Sequence, residues 1–179
     1  MRFLLIDYDF NSKKWKKVFE ERGDYRIRIY ENTKFLPLAY FVSGAKILKK
    51  EEILKFLKSE KFVPRREVVL EEGNESNGNI SFFRKALILK KNPLYISLLV
   101  DAPCNGWLVL TEAFYPGWVA RVDGKKEKIL RANYFLKAVP VSRGKHIVEF
   151  FYKPLSFTIG FWISLISVIF VIIKMKNAK

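Results

Sequence analysis

Apolar positions in this chain follow two regimes. Through most of the sequence they alternate with polar residues in short runs cut by Gly, Pro, Asn and Asp; near the C-terminus they become continuous. Alternation predicts half-buried strands, and the continuous run needs a different explanation. Residues 1–10 (MRFLLIDYDF) predict a strand whose buried run is Phe3 to Ile6. Ser12 is placed to cap a short helix ending before Gly23, since Trp15, Val18 and Phe19 fall at i, i+3 and i+4. Residues 25–30 (YRIRIY) alternate as a strand, residues 32–37 break it, and residues 38–42 begin another apolar stretch. A second helix is expected over residues 51–61, with Ile53, Leu54, Phe56 and Leu57 on one stripe, Glu51 and Glu52 in the first turn, and Pro64 beyond. Residues 66–70 return to β. The polar run GNESNGN (residues 73–79) is the best linker in the chain.

After it, strand patterns arrive at short intervals: residues 80–89, 94–100, 107–113, 118–122, 128–132, 134–141 and 146–152. Asp123-Gly124 is a two-residue hairpin signal, and Pro116-Gly117 and Arg143-Gly144 mark other turns. Short strands so punctuated predict an antiparallel sandwich. The expected fold is therefore mainly β: an antiparallel β-sandwich over residues 79–153, with a small α/β segment over residues 1–72 that either packs with it as one domain or stands apart.

The continuous run is LSFTIGFWISLISVIFVII, residues 155–173, without a charge. As a helix it spans about 28 Å, close to the hydrocarbon thickness of a bilayer. This predicts one C-terminal transmembrane helix. Tyr152, Lys153, Trp162, Lys174 and Lys176 are the candidate membrane-interface residues, followed by a cytoplasmic tail over residues 174–179. Lys174, Lys176 and Lys179 against Lys153 alone on the other flank place the C-terminus in the cytoplasm and the bulk of the chain outside. The apolar run before Asp7 is too short for a signal-peptide core. An external β portion then implies an export signal upstream on a longer polypeptide; a tail-anchored protein would leave it in the cytoplasm.

Charge changes the picture less than its size suggests. The formal net charge is +15 over 179 residues. The excess is +8 over residues 1–66, +3 over residues 67–150 and +4 beyond, and it is mostly Lys. No zinc-finger spacing, ribonucleoprotein aromatic motif or basic helix with heptads accompanies it, so nucleic acid is not the expected partner. Anionic lipid head groups or anionic wall polymers fit such a surface. One Cys (Cys104) and one His (His146) exclude a disulfide framework, a Cys-based zinc site and a multi-histidine centre. No metal or cofactor is expected.

The same inventory restricts catalysis. Asp101, Glu112, Asp123 and Glu149 are the carboxylates available to a glycosidase pair, but the Asp-Gly turn explains Asp123, and outward strand positions explain Glu112 and Glu149. A Ser-His-Asp arrangement would have to use His146, which follows a Gly-Lys turn and leads a strand. No Gly-x-Ser-x-Gly elbow or phosphate loop occurs, and Cys104 has no identified base. No catalytic residue is assigned. The aromatic cluster Trp107, Phe114, Tyr115 and Trp118 suits sugar stacking, with Asp123 and Asn133 to bond hydroxyls, so Trp107, Tyr115, Trp118, Asp123 and Asn133 are the candidate glycan contacts. Plugging one end of the sandwich is the simpler use of such aromatics.

Two stretches carry a family resemblance: YENTKFLPLAYFV (residues 30–42) and, more strongly, residues 108–154. The second joins Tyr115-Pro-Gly-Trp118, Val122-Asp-Gly-Lys125, Asn133, Gly144-Lys-His146 and Phe151-Tyr-Lys-Pro154 in order and runs directly into the span. Together they resemble the C-terminal end of the YfhO-like bacterial membrane proteins. The resemblance implies large polytopic relatives whose membrane half is similar to glycosyltransferases using polyprenyl-phosphate sugars, some linked to glycosylation of lipoteichoic acid. The many spans of those proteins, and the loop that would bear an acidic catalytic residue, do not occur in this sequence. The implied role is thus an extracytoplasmic β domain, accessory to glycosylation of cell-envelope polymers and not catalytic alone. Its implied partners are the bilayer, a lipid-linked sugar or anionic wall polymer, and other membrane glycosylation proteins. The alternative is a tail-anchored scaffold that binds a protein and has no glycan role.

Overall fold

The computed structural model describes residues 3–10, 12, 14–23, 26–76 and 81–177. Residues 77–80 of the polar loop, Tyr25 at the start of the YRIRIY run and Lys179 of the tail lie outside them. The chain divides into two compact units, Met1–Pro37 and Leu38–Lys179.

The first unit is a three-stranded antiparallel sheet in the order β1 (Phe3–Ile6), β3 (Arg26–Asn32), β2 (Trp15–Arg22). The helix expected before Gly23 is therefore a strand. The reason is a bulge between Lys17 and Phe19, where the register against β3 slips by one residue. Trp15 pairs with Asn32 and Lys17 with Tyr30, whereas Phe19 pairs with Ile29, so Trp15 and Phe19 take opposite faces. A bulge in a period-2 pattern produced the spacing that resembles a helical stripe. Arg28 is buried against Glu20 Oε1 (3.0 Å), Asp9 Oδ2 (3.2 Å) and the Asp7 carbonyl (2.8 Å), so its charge is paired.

The second unit stacks two sheets. One has seven strands in the order β5 (Gly44–Ile47), β6 (Glu67–Leu70), β13 (Leu130–Ala132), β14 (Leu136–Val141), β10 (Gly106–Ala113), β4 (Ala39–Val42), β7 (Phe83–Lys85). The other has five, in the order β12 (Lys125–Glu127), β11 (Trp118–Val122), β15 (Gly144–Tyr152), β9 (Tyr95–Ala102), β8 (Leu87–Asn92). β5 and β6 are parallel, and α1 (Lys50–Lys58) makes the crossover such a pair requires. Strands on either side of the 73–79 loop share the seven-stranded sheet, so within this unit the loop joins β6 to β7.

Alternation explains the core. Ile96, Leu98, Val100 and Ala102 on β9 and Val148 and Phe150 on β15 point inward from the five-stranded sheet. They meet Ala39, Phe41, Leu108, Leu110, Val139 and Val141 from the seven-stranded sheet. The Asp123-Gly124 turn closes a two-residue loop, Val122 pairing with Lys125, with φ of 49° and 79° as a type I′ hairpin requires.

β15 leads straight into α2 (Leu155–Asn177). None of the residues of its apolar window is buried, so this is not the buried core helix of a soluble globule. Lys174 and Lys176 occupy its last turn. Trp162 stands about 10 Å along the axis from Leu155, deeper than Tyr152 and Lys153 at the entry.

Candidate functional site

The strands give the sandwich two ends. β15 runs toward α2, β11 and β9 antiparallel to it, and the register of β10 with β14 orders the other sheet in the same way. The turns at residues 93–94, 114–117 and 133–135 lie at the helix end, tied to its entry and to one another by backbone bonds: Tyr152 N to Leu94 O (2.9 Å), Lys153 N to Gly117 O (2.6 Å) and Phe114 N to Phe135 O (2.6 Å). The far end carries the 123–124 hairpin, residues 103–105 and residues 142–143.

The aromatic cluster of the sequence is split between these ends. Trp107 opens β10 at the far end, while Tyr115 and Trp118 sit at the helix end, about 20 Å away along the strand at ~3.3 Å per residue. Trp107 lines a cleft of about 430 Å³ with Asn74, Glu75, Ser76, Asn105, Glu127 and Ser142 among its polar neighbours. Trp107 is only 8% exposed, so little of it is open to a ligand. Asn105 Oδ1 accepts the Arg143 N–H (2.9 Å), Glu75 Oε1 the Ile47 N–H (3.3 Å) and Glu127 Oε1 the Lys128 N–H (3.0 Å). Each keeps polar atoms for a ligand, because a carboxylate has several acceptor sites and an amide also has two donors. None of these three was singled out from the sequence; only their position in turns and at strand ends hinted at a shared cleft.

Asp123 is engaged elsewhere. Its Oδ2 accepts from His146 Nδ1 at 2.6 Å and its Oδ1 from the Ile147 N–H at 2.8 Å. The other imidazole nitrogen, Nε2, lies 3.1 Å from the Ser142 carbonyl and 3.2 Å from Ser142 Oγ. Asp, His and Ser thus meet: a protonated Nε2 donates to the Ser142 carbonyl, which only accepts, and an unprotonated Nε2 accepts from the Ser142 hydroxyl. The hydrogen bond His146 donates to Asp123 raises the His146 pKa, and the same bond leads in lowering the pKa of Asp123. This is a clasp fastening the hairpin to β15.

Asn133 is buried and bonded twice to Val69, its Oδ1 accepting the Val69 N–H (2.9 Å) and its backbone N–H donating to the Val69 carbonyl (2.7 Å). It ties β6 to β13. The remaining carboxylates named from the sequence also have partners: Asp101 with Arg84 (2.8 Å), Glu149 with the Tyr95 hydroxyl (2.6 Å), and Glu112 with Lys91 (3.1 Å) and Lys137 (3.6 Å).

At the helix end Trp118 packs on Tyr152, ring centroids 5.4 Å apart. Lys137 lies over the Trp118 ring, Nζ 3.6 Å from the centroid, with its side chain 1% exposed. Burial lowers its pKa against the pull of Glu112. This buried cation escaped the sequence reading, although its signal was there: in LKAVPV, Lys137 is in phase with the inward Val139 and Val141. Gly117 has φ +100°, and a Cβ there would come within 3.1 Å of Pro154 Cα and of Tyr152. The turn thus closes directly on the strand-to-helix junction.

An exposed apolar helix continuing the central strand of a stacked β unit defines a membrane-anchored β-sandwich protein. Residues 81–164 match the family described as Bacterial membrane protein YfhO, a stretch from just before β7 into the first half of α2. The resemblance read from residues 108–154 is borne out: that stretch is YfhO-like, and the match supports a membrane-associated role. Neither a curated protein nor a solved structure gives a match.

Proposed function

We propose that the second unit is an extracytoplasmic accessory domain which holds a glycan acceptor or lipid-linked sugar near the membrane while chemistry proceeds in other polypeptide. The carrying observation is the β15–α2 junction, which lies inside the YfhO-matched stretch and leaves only Lys153 and Pro154 between the sandwich and the span. A body joined so tightly presents its far-end cleft at a fixed height, about 20 Å beyond the helix end by strand length. Trp107 is the candidate glycan contact of the far-end cleft, where Asn105, Ser76 and Glu127 supply hydroxyl partners; Tyr115 and Trp118 line a separate cleft of about 270 Å³. Lys residues flanking the span favour a cytoplasmic C-terminus.

The test is topology. In a Cys104→Ser background, Lys125→Cys puts a thiol at the exposed far-end hairpin. Labelling by a membrane-impermeant maleimide in intact cells is expected. Labelling only after permeabilisation would place the cleft in the cytoplasm, end the glycan role and leave the tail-anchored scaffold.

A further inference from the structure

The two ends of the sandwich differ in their turns. Those at the far end present Asn105, Asp123, Ser142 and Arg143. Those at the helix end present Leu94, Tyr115 and Phe135, which are 59%, 63% and 59% exposed. Polar residues are the ordinary occupants of such loops, so three large apolar side chains at three separate tips of one end form a pattern that folding does not require. They contribute little to the core. The three turns are tied to the helix entry and to each other by the backbone bonds from residues 152, 153 and 114 described above.

We propose that these tips form a second membrane contact: Leu94, Tyr115 and Phe135 dip into the head-group region of the leaflet that α2 enters. The occupant follows from continuity, since the apolar surface of α2 begins at Leu155, adjoining the Gly117–Lys153 bond. Phe and Leu partition into the acyl boundary, and Tyr is at home at the water interface, where its ring is apolar and its hydroxyl wet. Lys153 stands exposed at the entry, and its charge complements lipid phosphate. One helix alone lets a body swivel and tilt; three further contacts around its base fix the orientation of the sandwich on the bilayer. This seat forms whichever leaflet is involved and is independent of any glycan.

Depth measurements on the full chain in vesicles of phosphatidylcholine with phosphatidylglycerol test it. In a Cys104→Ser background, Leu94→Cys, Tyr115→Cys and Phe135→Cys each carry an environment-sensitive fluorophore, with Lys125→Cys as the far-end reference. All four positions are exposed, so labelling spares the core. The expected result is a blue-shifted emission at the three tips and quenching by brominated lipid several-fold greater than at residue 125. Tip emission and quenching equal to those at residue 125 would overturn the proposal. A second measurement guards against a label that drives its own insertion. Replacing the two unlabelled tips by Ser should return the third label toward the reference values, and an unchanged depth would count against a cooperative seat.

Discussion

Gly117→Ala tests the junction most directly. Two costs arise. At φ +100° any L side chain is strained, by about 1–2 kcal/mol. The added methyl would also stand 3.1 Å from Pro154 Cα and from Tyr152 Cε2, and 3.3 Å from Pro154 N, closer than ordinary contact. Pro154 has a fixed φ and leads into α2, so it cannot step aside alone; crowding of this kind adds about 1–2 kcal/mol. Gly124→Ala supplies the control, because φ there is +79° but a Cβ meets nothing within 4 Å. The two variants share the backbone term, and their difference isolates the packing of the 114–117 turn on the junction. For a unit of this size about 1 kcal/mol shifts Tm by ~2–4 °C, so Gly117→Ala should melt about 2–8 °C below Gly124→Ala. Near-UV circular dichroism in detergent micelles follows the transition through the Trp118–Tyr152 pair. Coincident melting curves would refute the claim that Pro154 and Tyr152 confine this turn, and with it the stiffness of the strand-to-helix connection.

Two pH predictions follow from the charged contacts. His146, raised by Asp123, contributes stability fully in place below its unfolded pKa of about 6.5 and lost as pH rises through its folded value; Asp123, lowered, contributes above about 3.9 and loses it as pH falls through its folded value. The clasp should therefore be strongest between about pH 4 and 6.5, and Asp123→Asn should flatten both limbs of a denaturant-midpoint profile; identical profiles for variant and parent would contradict the clasp. Lys137 has the opposite linkage: its lowered pKa means the unfolded chain binds a proton that the fold releases, so stability should rise with pH from the depressed value toward about 10.5. Lys137→Met should abolish that rise in the same measurement, and its persistence would show that another group causes it.

The features legible in the sequence were those fixed by local pattern. The Asp123-Gly124 hairpin, the strands after residue 80 and the span needed only alternation, turn chemistry and run length. β2 was not legible, because its bulge at residues 17–19 is stabilised by pairing with β3 and no neighbour-to-neighbour rule announces it. The site was divided for a similar reason. Trp107, Tyr115 and Trp118 are close in number, but a strand carries the chain from one end of a sandwich to the other, so residues on either side of β10 face different surroundings. Asn133 looked like a polar turn residue until β6, more than sixty positions earlier, proved to be the neighbour it binds.

The place of β15 also constrains biogenesis. It lies in the middle of its sheet, between β11 and β9, yet it is the final strand before the span. Until it emerges from the ribosome, β11 and β9 have no common partner and their inward apolar residues stay unshielded. The segment that completes the sheet is followed within two residues by the apolar helix that enters lipid. Closure of the sheet and burial of the helix in lipid are consequently neighbouring events in time, and a delay in the first leaves a sticky half-sandwich for chaperones or proteases.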